Sequence, residues 1–250
     1  MKRSIPVYPQ KGATLIVVLV LLLVITIVGT WAIRGSMTSL NIATNAQAQA
    51  LLQQASDAVF FSLENETSND LTLTQMQIGD GMLAYVLRPE NKGKELVFCI
   101  RGDEANSLEG SRNASVVYWD GTAIKNTEQG TVGFCKLSRT TDFISSRAAV
   151  LTRVAIRPAN AGKDWEHMLE GDDPLMSKTN QIQKVIVSVT SLIPNLSSSS
   201  AADINSCLSS FTSFVDPVAG NKTVTDCLAE ENVPYSSQEM EYTLKPVSAS

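Results

Sequence analysis

Between Ala13 and Ser56 the chain carries one charge, Arg34, and between Pro9 and Pro89 it carries no proline. Without proline nothing in this stretch is obliged to interrupt a helix. The whole chain has one histidine, His167, which leaves neither a histidine pair for zinc nor a second imidazole for proton transfer. No G-x-S-x-G, H-E-x-x-H, Walker A or G-x-G-x-x-G pattern occurs. These absences lead to the expectation of a non-enzymatic chain with no catalytic residue, no metal and no cofactor. Basic residues are also short, 20 against 25 acidic ones, and three of them (Lys2, Arg3 and Lys11) fall in the first twelve positions. The remainder is more acidic still, which excludes direct nucleic-acid binding through phosphate neutralisation.

What is present begins with an uncharged run from Gly12 to Ile33, "GATLIVVLVLLLVITIVGTWAI". About 20 apolar residues span a hydrocarbon core as a helix. A cleaved secretory signal has a shorter apolar region, roughly 7–15 residues, followed by a small-residue cut site. "GTWAIRGS" is a poor version of such a site. The positive flank on the N-terminal side predicts a cytoplasmic N-terminus and an exported bulk.

The helix is expected to continue past the membrane. "SMTSLNIATNAQAQALLQQASDAVFFSLENE" is rich in Ala, Gln and Leu, all good helix formers. Met37, Leu40, Ala48, Leu51, Ala55, Val59 and Leu63 recur at spacings of mostly three and four and mark one packing stripe. Helical from Ala13 to about Glu64, the rod would be roughly 78 Å long at 1.5 Å per residue, with Gly29 and Gly35 its weakest points. A coiled-coil stalk is the plainer alternative, but the stripe lacks heptad Leu/Ile and flanking charges. The boundaries read as 1–12 for a leader, 13–34 for the membrane-spanning part, 35–66 for the exported half of the same helix, and 67–250 for a β-rich domain.

Four cysteines, Cys99, Cys135, Cys207 and Cys227, all follow the apolar segment. An even count in an exported domain reads as two disulfides; of three possible pairings the local one, Cys99–Cys135 and Cys207–Cys227, is the simplest. Beyond Glu66 the texture turns to short β-like runs. "MLAYVL" follows a Gly-Asp-Gly turn, "ELVFCI" has a continuous apolar core, and "SVVYW" leads through Asp120-Gly121 into "TVGFCKL" as a hairpin. "VLTRVAIRP" alternates Val150, Thr152, Val154 and Ile156 against Arg153 and Arg157; "KVIVSVTSLI" and "EMEYTLKPV" alternate likewise. The expected plan is α+β, an antiparallel sheet of five to seven strands with one face on the N-terminal helix. "IPNLSSSSAADINS" reads as a loop before an irregular lobe pinned by Cys207–Cys227. "DWEHMLEGDD" around His167 gathers Asp164, Glu166, Glu170, Asp172 and Asp173, at spacings of no standard calcium loop; a solvated acidic loop is the default. Trp119 and Trp165 read as core aromatics before interface ones.

"KGATLIVVLVLLL" resembles the class III signal of type IV pilins and pseudopilins. The resemblance implies a pilin-like fold in which a prepilin peptidase cuts between Gly12 and Ala13 on the cytoplasmic side and Ala13 is then N-methylated. Lys11 before the cut and Thr14, Leu15 and Ile16 after it match the family's run. Most pilins carry a glutamate as the fifth residue after the cut, where this chain has Val17. That departure resembles the PilX-type minor pilins and the K-type pseudopilins of type II secretion, and "LLQQASDAV" (Leu51 to Val59) resembles the Ala-rich helix end of the former. Many major pilins also break this helix with a proline, which is missing here. The PilX-type resemblance implies a minor pilin that primes assembly of a type IV pilus at or near its tip, supporting twitching, adhesion and DNA uptake. It implies as partners other minor pilins, the major pilin, a tip adhesin of the PilY type, the prepilin peptidase and the inner-membrane assembly platform. Its location would be the inner membrane before assembly and the pilus tip or cell surface after it. A K-type pseudopilin is the nearest rival, and a signal-anchored periplasmic enzyme or sensor the next.

Overall fold

A computed structural model describes residues 13–102, 110–144, 149–159, 183–215 and 220–244. The acidic stretch around His167, Trp165, and the leader residues Lys11 and Gly12 lie outside the described residues. The chain divides between Ala48 and Gln49 into two units, although one helix, α1 (Ala13–Thr67), runs unbroken through both, including Gly29 and Gly35.

In the larger unit the last turns of α1 are followed by two short helices, α2 (Asp70–Gln77) and α3 (Met82–Val86), before any strand. The six strands are β1 (Lys94–Cys99), β2 (Ser115–Trp119), β3 (Ile124–Lys125), β4 (Leu151–Pro158), β5 (Gln183–Leu192) and β6 (Tyr235–Leu244). They form one antiparallel sheet in the order β3-β2-β1-β4-β5-β6. Between β5 and β6 lie α4 (Ala201–Ser209) and α5 (Val224–Glu230).

Side chains alternate across the pleat, so each strand feeds two faces. On one face Leu96, Phe98, Val116, Val154, Ile156, Val185, Val187 and Val189 meet Val59, Phe60 and Leu63 of α1, with Met76, Met82, Leu83 and Val86 of the short helices. This is the α+β pilin-like plan, a long apolar helix whose C-terminal turns pack on a six-stranded antiparallel sheet with two disulfides.

The other face is covered as well, which the sequence reading did not anticipate. There Phe134 packs on Val97, Val117 and Ala155. Beside it Cys99, Cys135, Phe143, Leu151 and Leu192 meet Ile204, Cys207, Leu208, Val224 and Leu228 of α4 and α5. The cysteines join Cys99 to Cys135 and Cys207 to Cys227, closing spans of 36 and 20 residues. In the chain-entropy model each bridge is worth about 3–4 kcal/mol.

Three local readings are corrected. "MLAYVL" is helix α3, because its buried residues Met82, Leu83 and Val86 fall at helical rather than alternate spacing. The Gly-Asp-Gly before it therefore turns helix into helix; a Cβ on Gly81 would stand 2.3 Å from the Met76 carbonyl oxygen. The Asp120-Gly121 hairpin forms, with Asp120 Oδ1 accepting from Thr122 N at 2.9 Å and Ala123 N at 2.8 Å. Its second strand, however, is only Ile124–Lys125. "TVGFCKL" is no strand but crosses the far face, held by Phe134, by the Cys135 bridge and by the Gly133 N–H donating to Ser115 Oγ at 3.0 Å. The lobe thought irregular contains two capped helices. Ser200 caps α4, and Thr223 with Asp226 forms a reciprocal capping box on α5.

Arg153, which alternates against the apolar residues of β4, is fully buried on the far face, 3.4 Å from an equally buried Glu95. Its guanidinium also donates to the Leu208 and Phe211 carbonyls, and Glu95 accepts from Ser213 N at 2.9 Å. Burial lowers the Arg153 pKa, and the Glu95 carboxylate pulls it back up. Two desolvated charges are costly unless their lone pairs and protons are met, and here they are met by the end of α4 and the residues after it, 208–213. The pair therefore fixes where the stapled lobe sits on the sheet.

Candidate assembly surface

The residues marked for function cluster on α1, and its two parts differ. Leu15, Ile16 and Val17 are more than 60% exposed, and the apolar side chains from Val18 to Ile33 stay uncovered by any part of the chain. Alone in water such a surface would cost about 25 cal/mol for every Å² left uncovered. Two hydroxyls within it are satisfied by the helix itself. Thr26 Oγ1 donates to the Leu23 carbonyl and Thr30 Oγ1 to the Ile27 carbonyl, each at 2.8 Å. A helix with its backbone bonds internal and its hydroxyls turned back onto the preceding turn suits a medium without water. Among the described residues this is the helix long and apolar enough to cross a membrane, consistent with a single-pass anchor.

A Cβ added at Gly29 or Gly35 would meet nothing within 4 Å. Neither glycine is demanded by packing within the chain. Val17 stands among exposed aliphatic neighbours, as its sequence context requires.

The residues of the expected packing stripe differ in burial within the chain. Met37 and Leu40 are 63% and 64% exposed, Leu51 is 42% exposed, and Ala55 is half-buried. The side chains that α1 buries are Leu52, Ser56, Val59, Phe60 and Leu63. One residue is 100° of helix, so passing the stripe through Leu51 and Ala55 turned it away from the sheet. The missed member is polar. Ser56, fully buried, donates to Ser191 Oγ at 2.9 Å, and Ser191 shares a 2.9 Å bond with Thr152 Oγ1. This chain of three hydroxyls ties α1 to β5 and β4 at a point that hydrophobic periodicity cannot show. The signal for it was the apolar pair Val59 and Phe60, which places Ser56 and Leu52 on their side of the helix.

At its C-terminal end α1 is tied to the last strand. Tyr242 Oη donates to Glu64 Oε1 at 3.3 Å, and burial beside that carboxylate pushes the phenol up to about 12. Among the described residues no group of three or more His, Cys, Asp or Glu is placed to hold a metal ion.

Residues 11–61 match the family model described as PilX N-terminal. The match is a likeness of this N-terminal segment to the corresponding segment of PilX-type pilins. It covers the uncovered part of α1 and most of the packed part, and stops short of the sheet. No curated protein and no solved structure matches the chain.

Proposed function

We propose, with the PilX-type N-terminal segment as premise, that this chain is a priming subunit at or near the tip of a type IV pilus. The observation that carries the reading is the contrast within α1. Its apolar first part is exposed among the described residues, whereas its last turns are locked to a sheet. Such a helix exchanges lipid for the helices of neighbouring subunits without unfolding the domain it carries.

In this account a prepilin peptidase cuts after Gly12, removing Lys2, Arg3 and Lys11, and Ala13 becomes the methylated N-terminus. The cytoplasmic end is released and the bulk stays on the outer side of the inner membrane. Residues 13–34 then span the bilayer, residues 35–66 continue the helix, and the rest forms the displayed domain. Val17 supports a starter rather than a repeat unit. A carboxylate in lipid is costly and persists only where it has a partner, and a subunit with none ahead of it needs no carboxylate there. Met37 and Leu40, uncovered in the chain, belong to the surface offered to neighbours. Those neighbours would be other minor pilins, the major pilin and a PilY-type adhesin, assembled by the inner-membrane platform. Loss of the subunit would then impair twitching, adhesion and DNA uptake.

The test is a deletion strain. It should lose surface pili and regain them with the wild-type chain, while still exporting type II substrates. Normal piliation would refute the priming role, and failed type II export with normal pili would transfer the protein to a pseudopilus.

A further inference from the structure

The two edges of the sheet are built differently. β3, at one edge, is two residues long, a common way to blunt an edge. β6, at the other, pairs with β5 over ten consecutive residues, without bulge, proline or glycine, and among the described residues no strand lies on its far side. The Ile193 N–H donates to the Pro234 carbonyl at 3.0 Å, which sets the phase of the ladder. In an antiparallel pair hydrogen-bonded positions alternate, so the even residues of β6 bond to β5. Tyr235, Ser237, Glu239, Glu241 and Thr243 therefore direct their backbone N–H and C=O groups outward.

A second observation lies at the same place. A cavity of about 170 Å³ opens beside the end of β6, lined by Leu63, Leu73, Leu83, Val185, Tyr242 and Leu244 among others. A cavity near 150 Å³ with such a lining holds a benzene-sized body, so this one takes one leucine- or phenylalanine-sized side chain. It lies on the helix-covered face, the face of Tyr242 and Leu244. On the opposite face β6 carries Glu239 and Glu241, paired with Arg157 and Lys184 yet 46% and 49% exposed.

We infer that β6 is a docking edge for an extended strand of a different protein. That strand adds to the sheet through main-chain bonds, places an apolar side chain in the cavity, and sets a Lys or Arg against Glu239 and Glu241. Strand addition of this kind takes affinity from the backbone and specificity from alternate side chains. A second copy of this chain is the poorer occupant. Two β6 strands paired antiparallel about Met240 would set Glu239 of one directly against Glu241 of the other, and like charges so opposed destabilise a pair. The inference does not depend on the pilus reading, since it uses only the sheet.

The test uses the full chain in nonionic detergent and a fluorescent nonapeptide alternating Leu or Val with Lys, beside a scrambled peptide of the same composition. In the free protein the amides of Ser237, Glu239, Glu241 and Thr243 should exchange with solvent far faster than those of Ser236, Gln238, Met240 and Tyr242. The alternating peptide should slow the odd set at least tenfold and bind more tightly than the scrambled one. Ser237→Pro removes an outward N–H that β5 does not use, and should weaken binding at least tenfold while the even amides stay protected. Glu239→Lys with Glu241→Lys should shift preference to a peptide alternating with Glu. If Ser237→Pro fails to fold, the exchange pattern and the charge reversal decide between them. Unchanged affinity in the variants overturns the inference. So does protection of the odd amides without peptide, whether it depends on protein concentration (a second copy) or does not (the chain's own remainder).

Discussion

Phe60 and Phe61 are neighbours in the sequence and opposites in the structure, 5% and 73% exposed. The same division separates the two parts of α1. From Leu52 to Leu63 the helix has a buried side that its own sheet specifies, whereas from Leu15 to Leu40 every large apolar residue is uncovered. Composition separates a uniformly aliphatic run from an Ala- and Gln-rich one, but it does not show which side of the later part is buried. That side is set by complementary apolar positions on β1, β2, β4 and β5, and among the described residues the earlier part is exposed. A helix of this kind is finished by its surroundings at one end and by its own domain at the other.

The largest effect that would break this comparison belongs to its buried side. Phe60→Ala should cost about 3–5 kcal/mol in chemical denaturation, while Phe61→Ala should stay within about 0.5 kcal/mol. Equal losses would mean that the helix does not sit on the sheet as described. A loss of similar size, about 3–5 kcal/mol, is expected from Arg153→Ala, which leaves Glu95 buried and unpaired. Combining it with Glu95→Ala should recover part of that loss, because no lone charge remains buried. A double variant as unstable as the single one would remove the desolvation argument.

Next in size is the phase of the stripe. Leu52→Ala should cost about 2–4 kcal/mol, and Leu51→Ala or Leu40→Ala close to nothing in the same measurement. Leu40→Ala should act instead on assembly, read as the amount of surface pili. A stability change at Leu40 equal to that at Leu52 would erase the distinction between the two parts of α1.

The smallest effect concerns the clasp between α1 and β6. Below pH 10 both folded and unfolded chains keep the Tyr242 proton. Between about 10 and 12 the unfolded chain releases it, while the folded chain, with its phenol raised by burial and by Glu64, retains it. Stability contributed at lower pH is therefore lost as pH rises through that window. Tyr242→Phe should fall less steeply than wild type from pH 10 to 12, and identical slopes would show that the clasp does not form.

Much of this was legible in the residues. The anchor and the long helix follow from the lack of charge and proline, β4 and β5 follow from β-branched alternation, and the end of β6 follows from Met240, Tyr242 and Leu244 alternating with Glu239 and Glu241. What escaped did so for physical reasons. α3 is one short apolar run, too brief for its period to be told from a strand by pattern alone. Ser56 and Arg153 are polar, and only their partners, Ser191 and Glu95, make their burial tolerable. "TVGFCKL" left the sheet edge because Cys135 bonds across to Cys99, a long-range constraint that no local window contains. The helices of the stapled lobe did leave a trace, in Ser200 three residues before Asp203 and Thr223 three before Asp226. The serine-rich composition around the first concealed it.

The central claim is that the uncovered part of α1 is prepared for assembly by a cut at its front. Mass spectrometry of the N-terminus, after expression with and without a prepilin peptidase, tests it most directly. The account predicts a chain beginning at N-methylated Ala13 when the peptidase is present, and an intact leader when it is absent or when Gly12 is replaced by alanine. An unprocessed N-terminus in the presence of an active peptidase would contradict it.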